Sequence, residues 1–411
     1  MRSPTLPLGF VSSKLVIDGG RPVRTAPFPA WPHFDEDEIE AVSAVLRSGK
    51  VNYWTGEEGR LFEREFAAYA GTKHAIAVAN GTVALELALY TLGIGSGDEV
   101  IMPSRTFIAS ASCVAMRGAT PVTADVDRES QTITAETVRK AITPRTKAII
   151  AVHLAGWPCE MDAIISLAGE YNLAVVEDCA QAHGARYKGR PVGSMGHINA
   201  FSFCQDKIMT TGGEGGMVTT NDGLLWGRAW SYKDHGKSYE AVYQRGHETG
   251  FRWLHESFGT NWRLTEMQSA LGRQMLRKLD ASVERRRQLA GKLNQAFATI
   301  AALRTTVPRE DIHHSYYKYY VFVRPEKLRS AWDRDRIMTT IAAEGVPCFS
   351  GSCSEIYLEK AFDGIRPRRR LPVAKELGAT SLMFLVHPML SDSHVQDTIA
   401  AVDKVMEHAS G

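Results

Sequence analysis

The sequence predicts an α/β fold, with a large three-layer domain on a mainly parallel sheet and a smaller C-terminal α+β domain. Between about residues 74 and 220, short apolar runs alternate with helical stretches, as in folds where helices connect successive parallel strands. After about residue 265 the pattern changes to one long helical stretch and an aromatic, alternating strand. This change indicates a second domain.

Seven apolar runs are the predicted strands of the large domain. Several are rich in Val and Ile and nearly continuous, which is typical of strands buried on both faces. The runs are 74–79, 99–103, 121–126, 147–154, 173–178, 198–203 and 216–220. Helices are predicted between them at 82–93 and 161–172, and before them at 33–50, where acidic residues occupy the first turn.

The pattern divides the chain into three parts. Residues 1–32 contain six prolines and little periodicity, so we expect an arm that lies over another part or is partly mobile. The cofactor-binding domain is predicted at 33–265 and the small domain at 266–411, beginning with a long helix, continuous or broken, over 266–300. A strand at 314–325 and two further helices complete it, near 333–344 and 393–408.

The composition argues against several classes of function. Lys and Arg number 48 against 46 Asp and Glu, so a net charge of +2 gives no reason to expect binding to nucleic acid or to a membrane. No apolar run approaches the roughly 18 residues that span a bilayer, and no signal peptide is recognisable. The six cysteines are scattered singly. We therefore expect a reduced, metal-free, cytoplasmic protein.

Two motifs follow predicted strands and carry polar groups. Asn80-Gly81-Thr82 opens a helix, where N–H groups and the helix dipole suit a phosphate, although the motif is also an ordinary helix cap. Asp178 ends a buried run, so its carboxylate needs a partner. A protonated heterocyclic nitrogen or a nearby arginine meets that need.

Two further motifs follow strands. Lys207 comes soon after the run at 198–203 and is followed by apolar residues, so partial desolvation would favour its neutral, nucleophilic amine. A solvated loop lysine is the alternative. Phe107, in PSRTF, either offers its ring to a planar ligand or packs in the core. Together, the four motifs match what pyridoxal phosphate needs: a phosphate site, a carboxylate for the ring nitrogen, an aromatic plate and a lysine for the aldehyde.

At these residues the chain resembles the DegT/DnrJ/StrS family of sugar aminotransferases, from about residue 28 to 405. The ordered motifs NGTVALELAL, GDEVIMPSRTFIASA, VVEDCAQAHGA, SFCQDKIMTTGGEGG and GTNWRLTEMQSALG carry the resemblance. It implies a fold type I aminotransferase that moves an amino group from glutamate or glutamine to a nucleotide-linked keto sugar.

The resemblance also implies roles for single residues. Lys207 would hold pyridoxal phosphate as a Schiff base and shuttle the proton, and Asp178 would pair with the pyridine nitrogen. The remaining cofactor contacts would be made by Gly81, Thr82 and Ser202 at the phosphate, Gln181 at the ring hydroxyl and Phe107 on the ring face. Asn261 and Arg263 would reach the phosphate in the neighbouring subunit, which makes a homodimer with shared sites obligatory.

The substrate side departs from the family pattern. The segment 345–362 lacks the usual histidine and Tyr-Pro, and TTGGEGG has one glycine more than is usual. Candidate substrate contacts are His183, His314 and Tyr317, since a hydroxyl-rich ring needs donors and acceptors. The arginine-rich run 366–370 would suit a nucleotide diphosphate or would be a solvated loop.

Other functions remain open at this point. A cyclitol (inosose) aminotransferase or an aminohydroxybenzoate-type synthase of an antibiotic pathway carries similar motifs. A sugar dehydratase of the family carries histidine where this chain has Lys207. A regulator would need a DNA-binding module before the domain, and a 32-residue arm is too short for one.

Overall fold

The computed structural model describes residues 14–411. The first thirteen residues of the predicted arm lie outside this part. Residues 14–411 contain thirteen strands: β1 His74–Val78, β2 Glu99–Pro103, β3 Thr120–Ala124, β4 Thr146–Val152, β5 Ala174–Asp178, β6 Arg186–Tyr187, β7 Arg190–Pro191, β8 Ile198–Ser202, β9 Gly216–Thr220, β10 Leu303–Thr305, β11 Ile312–His313, β12 Tyr319–Val323 and β13 Ser381–Phe384.

Twelve α-helices connect them in the described chain. They are α1 Glu36–Ser48, α2 Glu58–Ala70, α3 Gly81–Thr91, α4 Ala109–Met116, α5 Ala135–Arg139, α6 Met161–Tyr171, α7 Gly223–Tyr232, α8 Tyr239–Tyr243, α9 Glu266–Phe297, α10 Arg334–Ala343, α11 Pro372–Thr380 and α12 Asp392–Ala409. None of the helices in residues 14–411 has the length and apolar composition needed to cross a membrane.

The large sheet has the order β1-β9-β8-β5-β4-β2-β3. Its central pairs are parallel, and only β9 runs against its two neighbours. Helices α3, α4 and α7 pack on one face, while α2, α6 and α9 pack on the other. The prediction of a three-layer fold with a mainly parallel sheet is confirmed, and the strands predicted at 99–103 and 216–220 have the observed bounds.

The small domain contains the antiparallel sheet β10-β12-β13, covered by α10, α12 and the end of α9. Helix α9 is continuous over 32 residues, so the expected alternative of a broken helix is wrong. Thr265 caps it by accepting from the Gln268 N–H, and apolar residues recur along its buried face. Its first half packs in the large-domain core and its last turns in the small-domain core.

The strand predicted at 314–325 is shorter than expected. Only 319–323 pair in the sheet, because Tyr316 has a φ of +46° and His314 Nδ1 accepts a hydrogen bond from the Tyr316 N–H. A left-handed residue interrupts an extended run. The interruption before β12 leaves Tyr317 in contact with Asp206 and Lys207, which follow β8 of the large sheet.

The described part of the arm packs against the small domain. Leu15 is buried in its core, and Glu344 accepts hydrogen bonds from the Val16 and Val23 backbone N–H groups. The arm then continues to Trp31, whose indole N–H donates to the Lys207 carbonyl at 2.8 Å. It therefore connects the small domain to the lysine predicted to be catalytic.

Candidate active site

The predicted cofactor residues converge at one edge of the large sheet. Strands β1, β2, β5 and β8 run in the same direction, so their carboxyl ends lie together. Ligands of open α/β sheets bind at this edge. The four predicted motifs follow these four strands.

The backbone at Gly81, where α3 begins, lies close to Ser202 at the end of β8, and this place is called the Gly81 cradle below. A Cβ on Gly81 would lie 2.4 Å from the Ser202 Cβ, so the backbone approaches β8 as only glycine permits. Asn80 caps the helix by accepting from the Val83 N–H at 3.0 Å. Because Asn80 is the cap, the exposed Thr82 keeps its hydroxyl available beside the first N–H groups of the helix. This end of α3 suits an anion.

Asp178 ends β5 and is 5% exposed. Ser110 Oγ donates to one carboxylate oxygen at 3.0 Å, and the Ala180 N–H donates to the other at 3.1 Å. Burial raises the pKa of Asp178, and the hydrogen bonds only partly oppose it. No arginine pairs with Asp178 in residues 14–411. A cation brought by a ligand would therefore stabilise the ionised carboxylate.

The neighbouring Glu177 has a different function. It points into the core, where it pairs with His153 at 2.9 Å and accepts from the backbone N–H groups of residues 193, 195 and 196. These contacts satisfy the carboxylate within the fold. Of the two acids that end β5, Asp178 is thus the one available to a ligand.

Lys207 lies in the loop after β8 with its side chain 16% exposed. Its Nζ is 3.8 Å from Asp206 Oδ1 and 5.0 Å from the centroid of the Tyr317 ring. The Tyr317 hydroxyl donates to the other Asp206 oxygen. The solvated-loop alternative for Lys207 is therefore wrong, since the side chain is largely enclosed at the sheet edge.

Two other predicted cofactor contacts lie near this edge. Phe107 is 66% exposed at the start of α4, so it does not pack in the core. Gln181 uses its Oε1 to accept from the Ala155 N–H at 2.8 Å, which leaves its amide N–H groups for a ligand.

The segment with Asn261 and Arg263 runs beside β1. The Trp262 carbonyl accepts from the Ala79 N–H at 2.9 Å, next to the cradle. Arg263 donates to Asp234 of its own chain at 2.6 Å, whereas Asn261 is exposed. The described chain alone thus holds this segment in place without bringing Asn261 into the core.

The three predicted substrate contacts differ in their surroundings. Tyr317 lies at the site, between Lys207 and Lys318. His183 is 1% exposed, lies against Phe201 and is kept neutral, because burial and the charge of Lys207 lower its pKa to about 3. His314 is buried, with its ring stacked 3.8 Å from that of Tyr316. The contacts of His314 within the described chain are packing contacts, and a substrate contact there stays a prediction.

The arginine-rich run is a surface loop. Arg370 pairs with Glu355, and Arg366 pairs with Asp363 at 2.7 Å. Arg368 and Arg369 are exposed. Arg368 and Arg369 are therefore accessible to a large anion. The ion pairs of Arg366 and Arg370 stabilise the loop.

The sequence reasoning missed several residues of this region. Ser110 was identifiable as three residues beyond Phe107, and Asp206 as the neighbour of Lys207. Trp31, Arg286 and His387 had no local signal, because they reach the site from the arm, α9 and the segment after β13.

Comparison with known proteins places this site in a family. The profile of the DegT/DnrJ/EryC1/StrS aminotransferase family matches residues 32–403. The chain belongs to this family. The resemblance inferred from the motifs is thereby confirmed, and the protein is an aminotransferase.

Similar proteins cover nearly the whole chain. The X-ray structure of an aminotransferase from Psychrobacter cryohalolentis is 57% identical, covers 93% of this chain and 99% of its own, and has a TM-score of 0.91. GDP-perosamine synthase of Caulobacter vibrioides is 38% identical, covering 92% and 97%. L-glutamine:2-deoxy-scyllo-inosose aminotransferase of Streptoalloteichus tenebrarius is 34% identical, covering 96% and 98%.

Aminotransferases of this family depend on pyridoxal phosphate. The residues of this chain fit that group. The start of α3 offers backbone N–H groups to a phosphate, the buried carboxylate of Asp178 has no salt-bridge partner within residues 14–411, and Lys207 presents an amine at the same edge. These are the three attachment points that the cofactor requires.

Proposed function

We propose that this chain uses pyridoxal phosphate to transfer an amino group from glutamate or glutamine to a nucleotide-linked keto sugar. The observation that carries the proposal is the convergence of Lys207, Asp178 and the Gly81 cradle at one sheet edge. When bound, the cofactor supplies an electron sink for the electrons released at the substrate carbon.

Each residue has a distinct task in this reaction. Lys207 would hold the cofactor aldehyde, and its amine would move a proton at the reacting substrate carbon. Asp178 keeps the ring nitrogen protonated, since a buried carboxylate is stabilised by the opposite charge. The remaining contacts are made by Gly81, Thr82 and Ser202 at the phosphate, Gln181 at the ring hydroxyl and Phe107 at the ring face.

The active site is shared between two subunits in this proposal. Arg263 has a guanidinium suited to phosphate, and Asn261 is exposed beside the cradle. A two-fold dimer brings two equivalent sites together. The pairing of Arg263 with Asp234 would orient the segment that the partner subunit receives.

The substrate assignment rests on the relatives and on the exposed arginines. The relative from C. vibrioides is named for a GDP sugar, and Arg368 and Arg369 offer charge to a diphosphate. The second candidate is a cyclitol, favoured by the relative from S. tenebrarius. An aminohydroxybenzoate-type synthase belongs to the same alternative. Lys207 itself argues against a dehydratase.

One experiment separates these substrates. The purified protein is incubated with glutamate or glutamine and either a set of nucleotide keto sugars or an inosose, and product mass is measured. We expect an amino product from a nucleotide sugar. Turnover of the inosose without turnover of any nucleotide sugar would replace the sugar assignment by the cyclitol one.

A further inference from the structure

Arg286 is a buried cation whose hydrogen bonds are incomplete. Its side chain, in the middle of α9, is 1% exposed, and its Nη1 donates to the Tyr317 carbonyl at 3.3 Å. Its Nε and Nη2 have no hydrogen-bond partner in residues 14–411. The guanidinium lies 5.2 Å from the Trp31 ring centroid. Buried, unmatched donors on a charged group are costly, so this arrangement calls for a partner.

Two more basic side chains lie beside it. Lys318 Nζ is 4.7 Å from the centroid of the Tyr317 ring, the same ring that Lys207 approaches. Burial, reinforced by the charges of Arg286 and Lys207, lowers the pKa of Lys318 to about 8. His387 stacks on Trp31, and its Nδ1 lacks a partner within the described chain. Arg286, Lys318 and His387 are called the basic cluster below.

The basic cluster faces too little negative charge to balance its own positive charge. Asp206 is the carboxylate that acts on both Arg286 and Lys318, but it already accepts the Tyr317 hydroxyl and lies 3.8 Å from Lys207. Burial and the charges of Arg286 and Lys318 lower the pKa of His387 to about 3, so its ring is neutral. Two cations, in addition to Lys207, thus share one acid in a partly enclosed space, where like charges repel strongly.

We propose that the basic cluster is the subsite that receives a carboxylate of the amino donor. This inference rests on the proposed aminotransferase function. The cluster adjoins the amine that the donor must displace, since the Nζ atoms of Lys207 and Lys318 lie 5.0 and 4.7 Å from the centroid of the same Tyr317 ring. A carboxylate matches the forked donors of arginine and the ammonium of lysine. Lys318 is the most accessible member of the cluster, whereas Arg286 and His387 are buried.

The test uses the holoenzyme without any sugar. Glutamate is added to wild type and to Lys318→Met, and the cofactor absorbance reports the rate of amino transfer at each concentration. Binding of glutarate, an unreactive dicarboxylate, is measured by calorimetry, alongside binding of GDP and dTDP. Lys292→Met, which removes a 44%-exposed lysine of α9, is the matched control.

We expect Lys318→Met to raise the glutamate concentration for half-maximal rate about ten-fold or more, the scale of a lost charged hydrogen bond. Glutarate binding should weaken equally, while GDP and dTDP binding should not change. Lys292→Met should behave as wild type. Arg286→Gln should show the same pattern, and thermal unfolding checks that it is folded.

Two results would overturn the proposal. One is unchanged glutamate and glutarate binding in Lys318→Met. The other is weakened nucleotide binding with normal glutarate binding, because the oxyanion would then be the diphosphate of the sugar substrate. An enzyme that accepts the amino group of glutamate but passes it to no nucleotide sugar would remove the proposed sugar and leave this subsite intact.

Discussion

The cofactor edge and the substrate side of this site are built in different ways. At the cofactor edge, Gly81, Asp178 and Ser202 stand at the ends of strands whose backbone pairing fixes their positions. On the substrate side, Trp31, Tyr317 and His387 come from the arm, a turn and a loop, and they are held by side-chain contacts. Changes at the cofactor edge should therefore affect chemistry, whereas changes on the substrate side should affect which molecules bind.

The largest effect is expected at Lys207. Lys207→Ala should reduce turnover to background, because both the attachment of the cofactor and the proton transfer are lost. Borohydride reduction of wild type should fix pyridoxal phosphate on the one tryptic peptide that contains Lys207, as read by mass spectrometry. Lys188→Ala, at an exposed lysine paired with Asp162, is the control that should remain active. A label on any other peptide would refute the assignment.

Sharing of the site predicts recovery of activity on mixing. Lys207→Ala and Arg263→Ala chains should each be inactive, but a mixed dimer contains one complete site. Equal mixing should restore about a quarter of wild-type activity if chains pair at random. Absence of recovery, with mixed dimers verified by native mass spectrometry, would assign Arg263 to its own subunit, where it already contacts Asp234.

Asp178→Asn should have opposite effects on activity and stability. Turnover should fall about a hundred-fold or more, the scale of a lost electrostatic contact in a reacting site. Burial raises the pKa of Asp178, so the folded, cofactor-free protein binds a proton there more tightly than the unfolded chain. This tighter proton binding stabilises the fold at low pH. The stabilisation is lost as the pH rises through the pKa of Asp178 in the folded state.

At neutral pH the cofactor-free Asp178→Asn protein should therefore melt at a higher temperature than wild type, with the difference shrinking on acidification. Scanning calorimetry at several pH values measures this. A near-normal rate in the variant would contradict the catalytic role, and a lower melting temperature at neutral pH would contradict the assigned cost of burial.

A smaller effect is expected at Ser110. Ser110→Ala removes the hydroxyl that donates to Asp178 at 3.0 Å, which should lower kcat about three- to ten-fold, the scale of the net contribution of one ordinary hydrogen bond. The KM for the amino donor should change little. Ser112→Ala, on the same helix, serves as control. A change in KM without a change in kcat would place Ser110 on the substrate side.

The smallest effect is expected at the surface loop. Changing Arg368 and Arg369 together to Ala should raise the KM for a nucleotide sugar by only a few-fold, since exposed charges are well screened. The KM for an inosose should not change, because that molecule has no phosphate. An unaltered KM for the nucleotide sugar would exclude the loop from the substrate site without affecting the sugar assignment.

The contrast between the cofactor edge and the substrate side also explains which features could be predicted from the sequence. The strands at 99–103 and 216–220 were predicted with their observed bounds because glycine-containing segments precede both runs and polar residues follow them. The position of Lys207 after β8 followed from its neighbours in the chain. The basic cluster could not be predicted, since Arg286 and His387 meet Trp31 only after the domains and the arm have packed. The turn at Tyr316 was missed because the residue types in this aromatic run do not indicate the φ of +46° that Tyr316 adopts.

The unbroken α9 limits how this enzyme can exclude water. A helix of 32 residues is about 48 Å long, and α9 is embedded in the cores of both domains. Bending it would disturb both cores, so a hinge inside α9 is disfavoured and the two domains keep a fixed spacing along it. Shielding of the reaction from water would then depend on surface loops and, in the proposed dimer, on the second subunit.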